Sequence, residues 1–479
     1  MSSVVIVGGG FSGAVTAVNL VRLTDAPLAV TVVNAGRPLA RGVAYGTPRP
    51  EHLLNVVARN MSALADQPDH FVEWLGTRSD FAHLSAAELR EQFIPRRVYG
   101  DYLQALFLWY RSAFADGRRV RIDALDAEVV DVVPAGDRVS VVTASGAALP
   151  ADKVVLATGN PPPASLPGID VEHPAYFADP WVRWEQHLPD RTGDVVLLGT
   201  GLTMVDAFLT LSALPWRGKI IAVSRNGLLP LSHFKGFDYP AFPGRDVTGA
   251  TLEEMQALVQ THCAELQRRG LNPAILVDKL RPHTQRLWRQ FTRAEKLRFL
   301  REFRTPWNVT RHRIAESIHN ELAAAAEAGR LEVVKGDIRA VRRAPAGLEV
   351  VLAGPGGERV LGAAAVVNCT GPAEGPGGGR SALYENLLER GLVSPDEVNL
   401  GVRAADDFAV LDEDGVRSPW LLAVGPPLKG LLWESTAVPE LRNQAFRAAE
   451  TVVADLHALR AAAVGRLDAT YADVLEYSI

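Results

Sequence analysis

Gly8, Gly10 and Gly13 stand at Gly-x-Gly-x-x-Gly spacing directly after the apolar run Val4-Val5-Ile6-Val7. A second turn, Gly199-Thr200-Gly201, follows Val195-Val196-Leu197-Leu198 and leads into Leu202-Thr203-Met204. Glycines at this spacing let a backbone turn approach a diphosphate, which then rests on the N–H groups of a helix N-terminus. The chemistry indicated is dinucleotide binding. Two such turns in one chain predict two dinucleotides, and two bound dinucleotides predict electron transfer between them.

The residue that ends the following strand distinguishes the two turns. A dinucleotide site usually has Asp or Glu there, holding the ribose hydroxyls. The first site has Asn34, an amide that accepts a hydrogen bond without carrying charge. The second has Ser224-Arg225. A hydroxyl and a guanidinium suit a 2′-phosphate, which favours NADP over NAD. The plainer alternative is a surface arginine after a strand. Two further strand ends resemble one another, Val155-Leu156-Ala157-Thr158-Gly159 and Val367-Asn368-Cys369-Thr370-Gly371. A buried strand that stops at Thr-Gly suggests close approach of backbone to a cofactor.

Other chemistries lack their residues. There is no G-x-S-x-G and no H-E-x-x-H, so neither a nucleophile elbow nor that zinc motif is present. The two cysteines, Cys263 and Cys369, form no C-x-x-C pair, which argues against a redox dithiol and a cysteine zinc site. A disulfide between them would need a geometry that spacing does not supply. The net charge of -5 gives no reason to expect nucleic-acid binding. No signal peptide is evident, and no run reaches the roughly 18 apolar residues of a membrane span. A cytoplasmic protein without a membrane partner is expected.

The elements that must position these residues follow from patterning. Residues 3–34 predict strand, turn, a helix from Ser12 to Leu23, and a strand from Leu28 to Asn34. Residues 36–75 are irregular until a helix near Pro68 to Leu75, and another opens at Arg96. Short strands fill 120–156, and the proline-rich stretch 161–167 reads as a domain boundary. The second unit repeats strand, turn and helix, with its next strand at Lys219 to Val223. Residues 251–327 read as helices, 331–369 as short strands, and a final helix starts near Pro439. At 479 residues the chain exceeds one core. Within the helices, 281–313 holds nine Arg and one Lys against Glu295 and Glu302. It reads either as a charged helix face whose aromatics turn to a core, or as a wall for anionic ligands.

The whole order resembles the two-dinucleotide-binding flavoproteins, a class that includes flavin monooxygenases and disulfide reductases. More narrowly it resembles the bacterial FAD-NAD(P)-binding family. The resemblance is carried by Gly42-Val43-Ala44-Tyr45-Gly46-Thr47 with Leu53-Leu54-Asn55-Val56, Pro95-Arg96-Arg97, Ser224-Arg225, Arg311-His312-Arg313, and Leu432-Trp433-Glu434-Ser435-Thr436. One departure is Gly425-Pro426, where the wider class has Gly-Asp; Asn34 is the other.

The resemblance implies an α/β, two-dinucleotide-binding (double Rossmann-like) flavoprotein with a helical insertion. It implies an FAD domain in two parts, 1–165 and 331–479, around an NADPH domain at 166–330 whose helical insert is 246–330. FAD would contact Gly8, Gly10, Gly13, Asn34, Thr158 and Gly159, with Gly425 and the stretch 431–436, Leu432 included, near the flavin; Arg41, Asn55, Thr370 and Gly371 are further cofactor-binding candidates. NADPH would contact Gly199, Gly201, Thr203, Ser224 and Arg225. The last helix would direct its positive dipole end at the flavin. Lys235, Arg304 and Arg311 are candidate partners for a substrate carboxylate. The implied activity is N-oxygenation of a small amino acid or amine through a flavin C4a-hydroperoxide, as in N-monooxygenases that oxidise L-aspartate towards nitrosuccinate. A small-molecule substrate and O2 are the implied partners, and a homodimer is left open. The alternatives are an NADPH-dependent flavin oxidoreductase or oxidase without oxygenation, and a non-catalytic FAD- and NADPH-binding redox sensor.

Overall fold

The computed structural model describes the chain except residues 113–118, 137, 167, 170–171, 189–190, 235, 245, 346, 355–356, 379–380 and 477–479, and the side chains of 462–476. Two parallel sheets organise it. The first has six strands in the order 409–411, 417–423, 153–156, 2–7, 28–34, 120–126. The second has five, in the order 331–335, 220–224, 195–198, 365–368, 176–177. All pairings are parallel except that of the edge strand 409–411 with 417–423. The central strands are continuous apolar runs because both faces are covered. Val4, Val5, Ile6, Val195, Val196, Leu197 and Leu198 are all buried.

The two sheets are built by the same succession of elements. In the first, the strand Ser2–Val7 turns into the helix Phe11–Leu23 and returns as Leu28–Asn34. A later strand, Val120–Asp126, leads through a three-stranded antiparallel meander into Lys153–Leu156, which pairs back onto Ser2–Val7. In the second, Val195–Leu198, the helix Leu202–Ser212 and Ile220–Ser224 come first. Leu331–Lys335 then leads through another antiparallel meander, 337–363, into Ala365–Asn368, which pairs onto Val195–Leu198. The likeness of the two Thr-Gly strand ends is thus one part of a whole repeated unit.

This topology corrects the boundary expected at 330. The strand Leu331–Lys335 pairs with Ile220–Ser224, and Ala365–Asn368 pairs with Val195–Leu198. Residues 331–368 therefore belong to the second sheet. The chain rejoins the first unit only after them, through the helix Ala382–Glu389, the strand Arg417–Ala423 and the long helix Val438–Glu476.

Between Ile220–Ser224 and Leu331–Lys335 the second unit carries a helical insertion. Its main helices are Leu252–Arg268, Ile275–Leu280, Thr284–Gln290, Arg293–Arg298, Arg304–Arg311 and Glu316–Glu327. Thr251 with Glu254, and Thr292 with Glu295, close reciprocal capping boxes that set two of the helix starts. The insertion has its own core around Trp288, Leu266 and Phe242, which also takes in Leu400 and Trp433 from the returning segment. Among the described residues no helix is long and apolar enough to cross a membrane.

Candidate dinucleotide-binding sites

The first turn is closed by backbone geometry. Gly8 adopts φ +106° and donates its N–H to Val33 O at 2.8 Å. A Cβ at Gly8 would run into the carbonyl oxygen of Ala157, the residue before Thr158-Gly159. The second turn repeats this arrangement. Gly199 adopts φ +112° and donates to Val223 O at 2.7 Å. A Cβ there would sit 2.5 Å from the carbonyl oxygen of Cys369, the residue before Thr370-Gly371. Each glycine therefore lets the Thr-Gly strand end lie against its turn, where a side chain would hold the two apart.

Each turn opens onto a helix capped by no side chain. Gly10 precedes Phe11–Leu23 and Gly201 precedes Leu202–Ser212, and neither helix has a side-chain cap. The first-turn N–H groups and the positive end of the helix dipole are thus available to an anion. Gly13 is buried in the first helix turn; Thr203 is half-buried in the second. This cradle fits the diphosphate of a dinucleotide at both places.

The strand-end side chains brace their turns. Asn34 Oδ1 accepts the Gly9 N–H at 3.1 Å, and its Nδ2 donates to Arg37 O at 2.6 Å. Ser224 Oγ lies 2.9 Å from Thr200 Oγ1 and accepts the Gly227 N–H at 3.0 Å. Arg225 is different. It is exposed and makes no hydrogen bond or ion pair among the described residues. Its guanidinium is free directly after the strand Ile220–Ser224.

A cleft opens beside the first turn. Its walls include Thr158, Gly159, Tyr384, Glu374, Pro427 and Lys429, around about 790 Å³ of space open to solvent. Thr158 Oγ1 lies 2.9 Å from the Tyr384 hydroxyl. Gly425 closes the neighbouring loop on the helix start, where a Cβ would come 2.8 Å from Ser12 Oγ. Its N–H donates to Gln444 Oε1 at 3.0 Å, and its carbonyl accepts from Ser435 Oγ at 2.8 Å. Gln444 belongs to the last helix, so that helix is tied to the turn through Gly425.

Residues 5–161 match the FAD-NAD(P)-binding family. Over nearly the whole chain the fold is shared with L-lysine 6-monooxygenase of Pseudomonas syringae, at TM-score 0.64 and 17% identity, covering 95% of this chain and 100% of that one. It is shared with ornithine N-hydroxylase of Kutzneria sp. 744, solved with reduced FAD, NADP+ and L-ornithine, at TM-score 0.61 and 17% identity, covering 95% and 98%. It is also shared with bacillithiol disulfide reductase of Staphylococcus aureus, at TM-score 0.53 and 12% identity, covering 95% and 99%. At such identities the likeness is one of fold. No curated protein matches the sequence.

Segments that carry the resemblance hold the second unit in place. Arg96 Nη1 pairs with Asp206 at 2.6 Å, with both side chains largely buried, and Arg96 Nε donates to Leu53 O at 3.0 Å. His52 places Nε2 3.0 Å from Asp206 O and 2.9 Å from Thr210 Oγ1, and Nδ1 2.9 Å from Thr47 Oγ1. Burial pushes its pKa down. Asp206 and Thr210 lie on the helix that follows the second turn. Asn55 joins this contact through its carbonyl, which lies 2.9 Å from His233 Nε2. Arg41 is bound to Asp101, to Gln104 Oε1 at 3.2 Å and to Arg97 O at 3.2 Å. Its guanidinium braces the helix Arg96–Ser112. Spacing gave no sign of this interdomain role for His52 and Arg96, because their partners lie more than 100 residues away.

The basic segment 281–313 proves to be an ion-paired dock. All of its cations except Arg293 have a carboxylate partner, and five partners come from the returning segment. Arg281 pairs with Glu440 at 3.1 Å, Arg289 with Asp406 at 2.8 Å, Lys296 with Glu397 at 2.5 Å, Arg304 with Glu374, and Arg311 with Glu434 at 3.4 Å. The remaining pairs lie within the insertion, and Arg293 donates to Glu397 O at 2.9 Å. The aromatic residues turn inward: Trp288 stacks on Trp433 at 4.8 Å, and its Nε1 donates to Gly430 O at 2.7 Å. The anion-wall reading is thereby corrected, since the charges are compensated within the fold.

Glu434 is the centre of that dock, a role that its place in the Leu432-Trp433-Glu434-Ser435-Thr436 segment did not indicate. It is buried, sits at φ +70°, and accepts the Trp307 Nε1–H at 2.7 Å. Burial pushes its carboxyl up, but hydrogen bonding and charge from His312, with Arg311 and Trp307, outweigh burial and hold it at about 2. Of the three substrate candidates, Arg304 and Arg311 are therefore engaged by Glu374 and Glu434, and Lys235 lies outside the described residues. Thr370 is exposed and bonds Asn368 Oδ1 at 2.6 Å; Leu432 is buried. Cys263 and Cys369 are both free thiols, so no disulfide joins them, and burial pushes the Cys369 thiol up. Among the described residues no group of His, Cys, Asp or Glu is arranged to hold a metal ion.

Proposed function

We propose that this protein is an FAD- and NADPH-dependent monooxygenase that N-oxygenates a small amino acid or amine. The observation that carries the reading is the pair of matching cradles in one chain, one braced by neutral Asn34 and the other flanked by the free Arg225. FAD would rest on Gly8, Gly10 and Gly13, with Thr158, Gly159 and the Gly425 loop against it. NADPH would rest on Gly199 and Gly201, with Arg225 on its 2′-phosphate. The flavin supplies activation of oxygen, and NADPH supplies the hydride.

The chain's own part is to bind, orient and exclude water. The Arg96–Asp206 pair and the His52 bonds hold the second cradle against the first. The Glu434 dock joins the helical insertion to the returning segment with Trp288, Trp307 and Trp433. Gln444 and Ser435 hold the Gly425 loop, so the last helix presents its N-terminal end next to the first cradle. Support for oxygenation as the outcome comes from the fold shared with N-hydroxylating enzymes. The lack of a C-x-x-C pair weighs against the disulfide-reductase alternative.

The test is to supply NADPH and oxygen to the flavin-loaded protein while screening small amines and amino acids. Hydroxylamine or nitroso product formed in proportion to NADPH consumed is expected. Peroxide released in proportion to NADPH with every amine tried would show an oxidase instead. No oxidation of NADPH would point to a binding protein without turnover.

A further inference from the structure

The cleft beside the first turn contains a cation without a counter-ion. Lys429 lines it, and its Nζ makes no hydrogen bond or ion pair among the described residues. The acidic residue of the cleft wall, Glu374, is taken by Arg304. The ammonium instead lies 5.9 Å from the centre of the Trp433 ring. Burial pushes its pKa down, and the charges of Glu374 and Glu434 only partly oppose this. A half-buried ammonium with no partner is unfavourable unless an anion arrives to meet it.

The cleft's position says which anion. Gly8 presses on Ala157, and the next residue, Thr158, is already in the cleft wall. Gly425 presses on Ser12, at the helix start, and the next residues, Pro426 and Pro427, continue that wall to Lys429. The cleft therefore opens off the first cradle on two sides, within a residue of each contact, while Pro372 to Pro376, which follow the second unit's Thr370-Gly371, complete its wall. The proline after Gly425 brings no carboxylate to compete for the ammonium.

We infer that Lys429 is the counter-cation of the FAD bound at the first glycine turn. The inference rests on the proposed FAD site. Two parts of FAD offer the needed charge: the diphosphate in every redox state, and the ring only when reduced.

The experiment titrates FAD into flavin-free wild type, Lys429→Met and Lys429→Arg, and measures the reduction potential of each loaded protein. Thermal melts check folding. Lys429→Met is expected to weaken FAD about tenfold or more, with Lys429→Arg recovering most of the loss. Equal weakening of oxidised and reduced forms assigns the lysine to the diphosphate. Weakening confined to the reduced form assigns it to the ring, and the potential falls by about 30 mV per tenfold. A folded Lys429→Met protein with unchanged FAD affinity and potential overturns the inference, as does a loss seen only for NADP+. If wild type itself binds no FAD, the site reading fails with it, which separates that failure from an error about Lys429 alone.

Discussion

At the scale of single residues, the two cradles make separable predictions. Gly8→Ala forces a side chain into Ala157 at φ +106° and should abolish FAD retention, read as flavin content of the purified protein. Gly199→Ala drives a Cβ to 2.5 Å from Cys369 O and should leave flavin content unchanged while NADP+ binding is lost. Arg225→Ala should weaken NADPH about tenfold or more and NADH little, because only the former carries the 2′-phosphate. Equal losses for the two nucleotides would remove Arg225 from that role. These glycines were legible in sequence because the turn is local: strand, glycine and helix are contiguous. Asn34 and Ser224 were legible as strand ends, but not as braces. Their partners, Gly9 and Arg37 in one case and Thr200 and Gly227 in the other, depend on how the turn folds back.

At the scale of elements, the contacts between units were the hidden part. The basic segment 281–313 looks like a cationic surface when read alone, since its compensating carboxylates, Glu374, Glu397, Asp406, Glu434 and Glu440, lie in the returning segment. The expected boundary at 330 failed for the same reason. The pairing of Leu331–Lys335 with Ile220–Ser224 spans the entire helical insertion. Two predictions belong here. Asp206→Asn removes one partner of a largely buried pair and should destabilise the protein by about 3–5 kcal/mol, measured by denaturant unfolding. The Glu434 dock should be acid-sensitive. Its carboxyl titrates lower when folded than the ordinary 4.5, at about 2. Its contribution is therefore complete above 4.5 and is lost as pH falls toward 2. Tryptophan fluorescence of wild type should report this loosening, and Glu434→Gln should remove that part of the pH dependence.

At the scale of the whole molecule, the chain is a repeated strand–turn–helix–meander unit whose two copies are held together by two sets of contacts. One is the clasp of His52, Arg96 and Asp206, and the other is the dock of Glu434. With both in place, the two cradles are held in one arrangement, as direct hydride delivery from one dinucleotide to the other requires. The repetition was half visible in sequence as two glycine turns and two Thr-Gly ends. The meanders between them carry only weak alternation and gave no such sign. The central claim is that the first cradle holds FAD and the second holds the NADPH that reduces it. The most direct measurement is anaerobic mixing of the flavin-loaded protein with NADPH while following the visible flavin absorbance, in wild type and in Gly199→Ala. Full bleaching in wild type, and none on the same timescale in a Gly199→Ala protein that still holds its flavin, is the predicted result. Equal bleaching in both, or a wild-type flavin that NADPH does not reduce, would contradict it.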